Sequence, residues 1–145
     1  MIRYIQVFFL TLLISACSVL PDASLSEKAQ PQSPTSRHPA VIALLDTADT
    51  QRNTGQTGRS AATLERAVKI EPRNARLWQR LGRIRLDLGQ WSQAENLASK
   101  SNALAAGDRH VKAENWRIIG QARLKQGRRQ AANQAFAQAN SLENH

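Results

Sequence analysis

The sequence predicts an all-α domain that follows an export signal and a flexible tether. Ala, Leu, Arg and Gln are abundant, whereas aromatic residues make up only 5% of the chain, a composition typical of helices rather than strands. From residue 39 onward, apolar and small residues recur with a period in the thirties. Before that point, a short apolar run is followed by a segment rich in Pro, Ser and Gln.

The first 16 residues have the three-part layout of a secretory signal. Arg3 provides a positive charge, residues 7–14 form an apolar stretch, and the small residues Ser15 and Ala16 precede the expected cleavage point. The alternative is a transmembrane anchor, which needs about 20 apolar residues. The apolar run is shorter than that, so we expect residues 1–16 to be a signal peptide that is removed.

The residues Ile14-Ser15-Ala16-Cys17 resemble a bacterial lipobox. The resemblance implies that Cys17 becomes an N-terminus carrying acyl chains such as palmitate, since stable anchoring takes more than one chain. Cys17 is the only cysteine in the sequence, so it cannot form an intramolecular disulfide. By the same resemblance, Ser18 rather than Asp after the cysteine favours the outer membrane, with the domain facing the periplasm.

Residues 17–38 contain the lipidated cysteine and a tether that we expect to be disordered, because it has no apolar period. Fully extended, the tether would reach roughly 70 Å at ~3.3–3.6 Å per residue. The alternative is an ordinary linker with no role beyond this reach.

The chain is strongly basic. Its formal net charge is +9, and removal of Arg3 with the signal peptide lowers it by one. Such a charge fits nucleic acid, anionic lipid or an acidic protein partner. The export signal argues against nucleic acid as the native partner.

A repeated pattern begins at residue 39. The spacing W-x-x-L-G, then Gly, then Ala, then a late Pro resembles the tetratricopeptide repeat. The second unit matches through Trp78, Leu81, Gly82, Gly89 and Ala94; the third through Trp116, Ile119, Gly120, Gly127, Ala132, Phe136 and Ala139; and a weaker first unit through Leu44, Ala48, Gly55, Leu64, Ala67 and Pro72.

The resemblance implies two antiparallel helices per unit, packed through small residues, with a left-handed glycine ending each first helix. About three units are needed to form a core, and we assign them to residues 41–74, 75–108 and 113–145 of a domain spanning 39–145. Four extra residues before the third unit lengthen either the loop or the front of the next helix, with Asp108 as a possible N-cap. At the repeat's core positions, Trp78 and Trp116 are expected to be buried, and Trp91 partly exposed.

No residues suggest catalysis. His38, His110 and His145 are scattered, and none has a Cys or a second His at metal-ligand spacing. No Gly-rich phosphate loop follows a strand. We expect no enzyme activity, no metal site and no cofactor, because a repeat domain of this kind provides a binding surface.

The family resemblance implies a groove lined by the first helix of each unit. Arginine pairs well with carboxylates, so the groove is predicted to bind an acidic or C-terminal peptide segment; the alternative is that these charges are merely solvated. The Lys/Asn carboxylate clamp of chaperone-binding relatives is not carried over, since Leu45 and Asp49 occupy its first two positions. The candidate groove residues are Arg52, Asn53, Arg76, Gln79, Arg83, Arg117, Gln121 and Lys125.

The last predicted helix, 129–142, is a second candidate surface. Its Ala-rich stripe carries Phe136 and Leu142, and related domains usually cover this face with an extra helix. An uncovered stripe would receive a partner or a second copy of the chain, giving a homodimer. The alternative is that the alanines leave too little apolar surface to matter.

A lipoprotein with a tether and a short tetratricopeptide domain resembles the Lpo-type activators of class A penicillin-binding proteins. The resemblance implies an outer-membrane-anchored protein that stimulates a peptidoglycan synthase across the cell-wall mesh. Two alternatives stay open. One is a pilotin-like factor for secretin or type IV pilus assembly, and the other is a basic module that binds an anionic envelope polymer.

Overall fold

A computed structural model describes residues 35–144, which contain six α-helices and no strand. The predicted signal peptide, Cys17, most of the predicted tether and His145 lie outside the described residues. Each odd-numbered helix packs against the next helix along the chain, which confirms the all-α prediction of paired helices. The helices are α1 (Pro39–Asn53), α2 (Thr57–Ile70), α3 (Ala75–Asp87), α4 (Trp91–Leu104), α5 (Arg109–Lys125) and α6 (Arg129–Glu143).

Small, buried residues lie where the two helices of each pair meet, because only small side chains allow close approach. In two places serine stands where the repeat pattern has alanine. Ser60 Oγ donates to the carbonyl oxygen of Ala48 at 2.8 Å, and Ser101 Oγ donates to that of Ala75 at 2.7 Å. The buried residues at the small-residue positions of the repeat are Ala48, Gly82 and Gly120 in the first helices, and Ser60, Ala67, Ala94, Ser101, Ala132 and Ala139 in the second helices.

The core consists of two apolar clusters. The first joins α1, α2 and α3 through larger aliphatic residues, and Trp78 packs against it. The second joins α4, α5 and α6 around Ile118 and Ile119, and Trp116 packs against it. Both tryptophans are therefore core residues as expected, although each is only partly buried. Trp91 is 38% exposed, in agreement with its position near a helix start.

Each first helix is followed by a glycine in the left-handed region. Gly55, Gly89 and Gly127 have φ of 76°, 72° and 78°. A residue with a Cβ is strained in this conformation, whereas glycine is not. The predicted helix-ending role of these three glycines is thus confirmed.

The four extra residues before the third unit lie at the front of α5. The loops 71–74 and 105–108 have the same length, but α5 begins seven residues before Trp116, whereas α3 begins three residues before Trp78. Asp108 caps α5, since its carboxylate accepts the N–H of Val111 at 3.0 Å. The prediction of an Asp108 N-cap is confirmed.

The first described residues contact the loop between α2 and α3. Ser36 Oγ donates to Glu71 Oε1 at 2.6 Å, and Asn74 Nδ2 donates to the carbonyl oxygen of Thr35 at 2.5 Å. The hydrogen bond from Ser36, with a second one from Asn74, lowers the pKa of Glu71. Residues 35 and 36 are therefore held against the domain. Among residues 35–144, no helix is long and apolar enough to cross a membrane.

Candidate functional site

The side of the domain formed by α1, α3 and α5, here called the first-helix face, has two shallow cavities. One lies between α1 and α3, with a volume of about 200 Å³, and the other lies between α3 and α5, with about 250 Å³. Arg80 and Arg83 line both cavities. The face is therefore centred on α3.

Ion pairs connect the three helices of this face. Between α1 and α3, Arg80 Nη1 lies 2.9 Å from Asp49 Oδ2. Closer to the C-terminal ends of the same helices, Arg52 Nη2 lies 3.2 Å from Asp87 Oδ2. These two pairs bridge α1 and α3 across the first cavity.

Two further pairs connect α3 to α5. Arg76 Nη2 lies 2.9 Å from Asp108 Oδ2, so the N-cap of α5 also binds the start of α3. Arg83 Nη2 lies 3.2 Å from Glu114 Oε2. Glu114 thereby places an acidic group beside the arginine at the middle of the face.

Arg117 extends this network to α6. Its guanidinium lies 2.5 Å from Glu114 Oε1 and also pairs with Glu143. The hydrogen bond to Glu143, together with Glu114, raises the pKa of Arg117, and the same bond lowers the pKa of Glu143. Arg83 and Arg117 thus share one carboxylate, that of Glu114.

The predicted basic groove is therefore neutralised from within. Five arginines on this face pair with five carboxylates. A guanidinium has five N–H donors, so a paired arginine keeps donors for an incoming carboxylate. An acidic segment that bound here would add to these ion pairs or replace one of their carboxylates, because no arginine of this network is without a partner.

The structure brings most of the predicted groove residues together. Gln121 Oε1 accepts from Arg83 Nη1 at 2.9 Å, and Gln79 Nε2 donates to the carbonyl oxygen of Val111 at 3.3 Å. Asn53 and Lys125 are exposed, near the ends of α1 and α5. The involvement of these residues in binding stays a prediction.

Two residues of this face were absent from the sequence prediction. Arg80 lines both cavities, and the side chain of Leu124 near the end of α5 is 48% exposed. The spacing of both residues could have placed them on this face, since Arg80 follows Arg76 by four residues and Leu124 follows Gln121 by three. Residues so spaced lie on the same side of a helix.

The second candidate surface is partly occupied by the domain itself. Phe136 is half-buried, and its ring lies against Gly120 of α5. The carbonyl oxygen of Leu142 accepts from Arg109 Nε at 3.2 Å and Nη2 at 3.0 Å. Both residues thus contribute to packing of α6 on α5, and their role in docking or dimerisation stays a prediction.

The described part of the chain contains no cluster of three His, Cys, Asp or Glu residues that could hold a metal ion. The most enclosed carboxylate that forms an ion pair there is Glu95 of α4, which pairs with Arg123 and Arg128. Burial by itself raises the pKa of Glu95, but the hydrogen bonds and charges of the two arginines outweigh it, and the pKa is lowered. This site joins α4 to α5 and to the turn before α6.

Comparisons with known proteins agree with this architecture. A family model described as tetratricopeptide repeat matches residues 51–113. The globular C-terminal domain of P. aeruginosa LpoP is 37% identical, with a TM-score of 0.70, over 72% of this chain and 99% of that domain. The second tetratricopeptide domain of Spaghetti (RPAP3), solved with the HSP90 peptide SRMEEVD, is 19% identical, with a TM-score of 0.64, over 72% of this chain and 93% of that one. At that identity the second likeness concerns the fold alone. No curated protein matches the chain.

Proposed function

Because the chain belongs to the family of tetratricopeptide-repeat proteins represented by the globular C-terminal domain of P. aeruginosa LpoP, we propose that it activates a class A penicillin-binding protein. The observation that carries the proposal is the 37% identity across 99% of that domain. The sequence resemblance to Lpo-type activators supports the same activity. In this proposal the chain is a non-enzymatic binding protein that stimulates peptidoglycan synthesis through contact with the synthase.

The proposed location is the periplasmic side of the outer membrane, through acyl chains on Cys17. The lipobox-like residues 14–17 and the tether support it. A Cys17→Ala variant is expected to leave the membrane fraction or to stay unprocessed. Unchanged acylation and fractionation of this variant would contradict a lipid anchor at Cys17.

The proposed contact surface is the first-helix face. Arg83 and Arg117 share Glu114, and surface ion pairs of this kind contribute only about 0–1 kcal/mol. A carboxylate of the partner can therefore replace Glu114 at small cost while gaining two guanidinium groups. The expected ligand is an acidic or C-terminal segment of the synthase.

The decisive experiment measures glycan polymerisation by a class A penicillin-binding protein from the same organism, with and without the full-length chain in detergent micelles. We expect the chain to raise the polymerisation rate. Arg83→Gln combined with Arg117→Gln should remove most of this increase without unfolding the domain. The control is Lys112→Gln combined with Arg129→Gln, which removes two charges away from the Arg83–Glu114–Arg117 contacts and should activate like the wild type.

Three outcomes decide the matter. No rate increase with the wild-type chain would exclude activation of that synthase. Activation that survives the Arg83 and Arg117 replacements would move the contact to another surface, with Phe136 and Leu142 of α6 tested next. In-cell crosslinking that captures mainly a secretin or a pilus subunit would replace the proposal with the pilotin-like alternative.

A further inference from the structure

A second groove, here called the outer groove, lies between α2 and α4 above one side of α3. Its volume is about 410 Å³, larger than either cavity of the first-helix face. Its floor is apolar and includes Val68, Leu81 and Leu97, and the exposed amides of Gln93 and Asn96 lie at its α4 edge. The groove is thus shaped for an apolar side chain whose flanking backbone meets hydrogen-bonding groups.

Trp78 forms one wall of the outer groove. Its indole Nε1 already donates to the carbonyl oxygen of Pro72 at 2.8 Å, so the polar edge of the ring is satisfied. The ammonium of Lys100 lies 4.8 Å from the ring centroid, a cation–π arrangement that covers one ring face. What Trp78 offers to the groove is therefore hydrocarbon surface, not a hydrogen-bond donor.

The charge around the outer groove differs from that of the first-helix face. Arg59, Arg66 and Lys69 follow one exposed side of α2, and Arg73 comes directly after the helix. Within residues 35–144 none of these four, nor Lys100, forms an ion pair, whereas Glu65 at the groove pairs with Arg85. Of these five, Lys69 lines the groove and Lys100 lies over its Trp78 wall, so two positive charges without an ion pair in the described chain lie at the apolar groove.

We propose that the outer groove binds an acidic peptide segment of a partner protein that carries one large apolar side chain. The apolar side chain lies on Leu81 and Leu97, against the wall formed by Trp78. Carboxylates on either side are attracted by Lys69 and Lys100, as charge complementarity requires. This site is separate from the first-helix face and does not depend on activation of a synthase.

A glycan fits the outer groove less well than a peptide. Sugars stack on an open aromatic face, but Lys100 covers one face of Trp78. The remaining floor consists of aliphatic side chains with no hydrogen-bonding atoms. An anionic polymer attracted by charge alone would also gain no binding energy from contact with the apolar floor.

The probes are fluorescein-labelled 12-residue peptides with a central Leu, Phe or Ser, flanked by Asp and Glu or by Lys and Arg. Binding to the full-length chain in micelles is followed by fluorescence anisotropy. Acidic peptides with Leu or Phe should bind about tenfold more tightly than the acidic Ser peptide, since removal of an apolar side chain from water is favourable. Their affinity should fall as salt rises, because exposed charges are screened.

The groove variants are Asn96→Trp, a large neutral side chain that fills the groove edge, and Lys69→Glu with Lys100→Glu, which reverses the charge of the groove. Each should weaken binding of the acidic Leu peptide about tenfold or more. The matched control is Gln134→Trp, at the corresponding repeat position on α6, which should bind like the wild type. Because Asn96, Lys69 and Gln134 are exposed, these changes leave the core intact.

The proposal is overturned by any of five results. Equal affinity of the Leu and Ser peptides would show that charge alone acts. Equal binding by Asn96→Trp and wild type would place the peptide on another surface. Binding of sulfated dextran or of vesicles with anionic lipid, with no peptide bound, would assign the basic surface to a polymer or a membrane. A dimer that dissociates in the Asn96→Trp variant would show that a second copy occupies the groove. Peptide binding that requires deletion of residues 18–34 would show that the tether occupies it.

Discussion

The ring of Phe136 on α6 lies so close to Gly120 on α5 that a Cβ added at this glycine would be 2.5 Å from Cε1 of the ring. The corresponding glycine of the second unit, Gly82, has more room. A Cβ there would meet backbone atoms of Ala94 and Ala98 at 3.4 Å, an ordinary contact. The first unit already has Ala48 at this place, 1% exposed.

Gly120→Ala is therefore expected to destabilise the domain by about 1–3 kcal/mol, because overpacking forces Phe136 or the helices to move. Gly82→Ala is the matched control and should be neutral or slightly stabilising, since alanine favours a helix interior by about 1 kcal/mol over glycine. Urea unfolding followed by circular dichroism measures both. Equal stability of the two variants would contradict the close Phe136 contact.

Asp108 has two roles that substitution can separate. Its carboxylate caps α5 and pairs with Arg76. Asp108→Ala removes both contacts and should cost about 0.5–2 kcal/mol from the cap alone. Asp108→Asn keeps an N-cap acceptor but loses the charge, so it should cost less. Thermal unfolding at neutral pH measures the difference, and an Asn variant as unstable as the Ala variant would show that the ion pair dominates.

Ser101 is expected to matter more than Ser60, although both replace alanine in the repeat pattern. Ser101 Oγ accepts from the buried Asn115 Nδ2 at 2.7 Å as well as donating to Ala75. Ser101→Ala leaves Asn115 with one fewer partner, and weakening a buried polar contact costs about 1–3 kcal/mol. Among the described residues, Ser60 Oγ donates only to the carbonyl oxygen of Ala48. Ser60→Ala should therefore lower the free energy of unfolding by less than Ser101→Ala. Urea midpoints of the two variants test this order.

The stability of the domain should fall in acid. The pKa values of Glu71, Glu95 and Glu143 all lie below their ordinary value of 4.5. A carboxyl group whose pKa is lower in the folded chain stabilises the fold above its unfolded pKa, and this contribution is lost as pH falls through the folded pKa. The Tm should therefore change little near neutral pH and drop below about pH 4.5.

Glu95→Gln tests the source of this drop, because Glu95 is the most enclosed of the three. The variant should have a lower Tm at pH 7 and a smaller further loss between about pH 5 and pH 3. Arg128→Gln removes one of the two guanidinium partners and should give an intermediate curve. A Glu95→Gln curve parallel to that of the wild type would assign the acid sensitivity to other groups.

Features of the fold that depend on neighbours in the chain were predictable. The glycines that end α1, α3 and α5 and the cap at Asp108 follow from conformational preference and from hydrogen bonds within a few residues. The four residues inserted before the third unit left two possibilities open, because their local sequence is compatible with either a longer loop or a longer helix. Packing decided in favour of the front of α5.

The sequence predicted which face carries the candidate site, but not which of its charged side chains form ion pairs. The resemblance to the repeat placed Arg83 and Arg117 on one face, as the structure does. Their partner Glu114 lies three residues before Arg117 on the same helix, but a periodic pattern does not specify that it also meets Arg83. Arg80 pairs with Asp49 across 31 residues of chain, and such pairs depend on the distance between helices.

The sequence by itself determined the helices, their pairing and the points where they end, because propensity, capping and small-residue spacing act over one or two turns. Only the tertiary structure decided where charge is cancelled and where it is not. Helices α3 and α5 must come together before Glu114 can pair with Arg83 as well as with Arg117, and α2, α3 and α4 must meet before an apolar groove forms beside Lys69 and Lys100. These are long-range contacts, and their energies depend on distances that no local pattern contains.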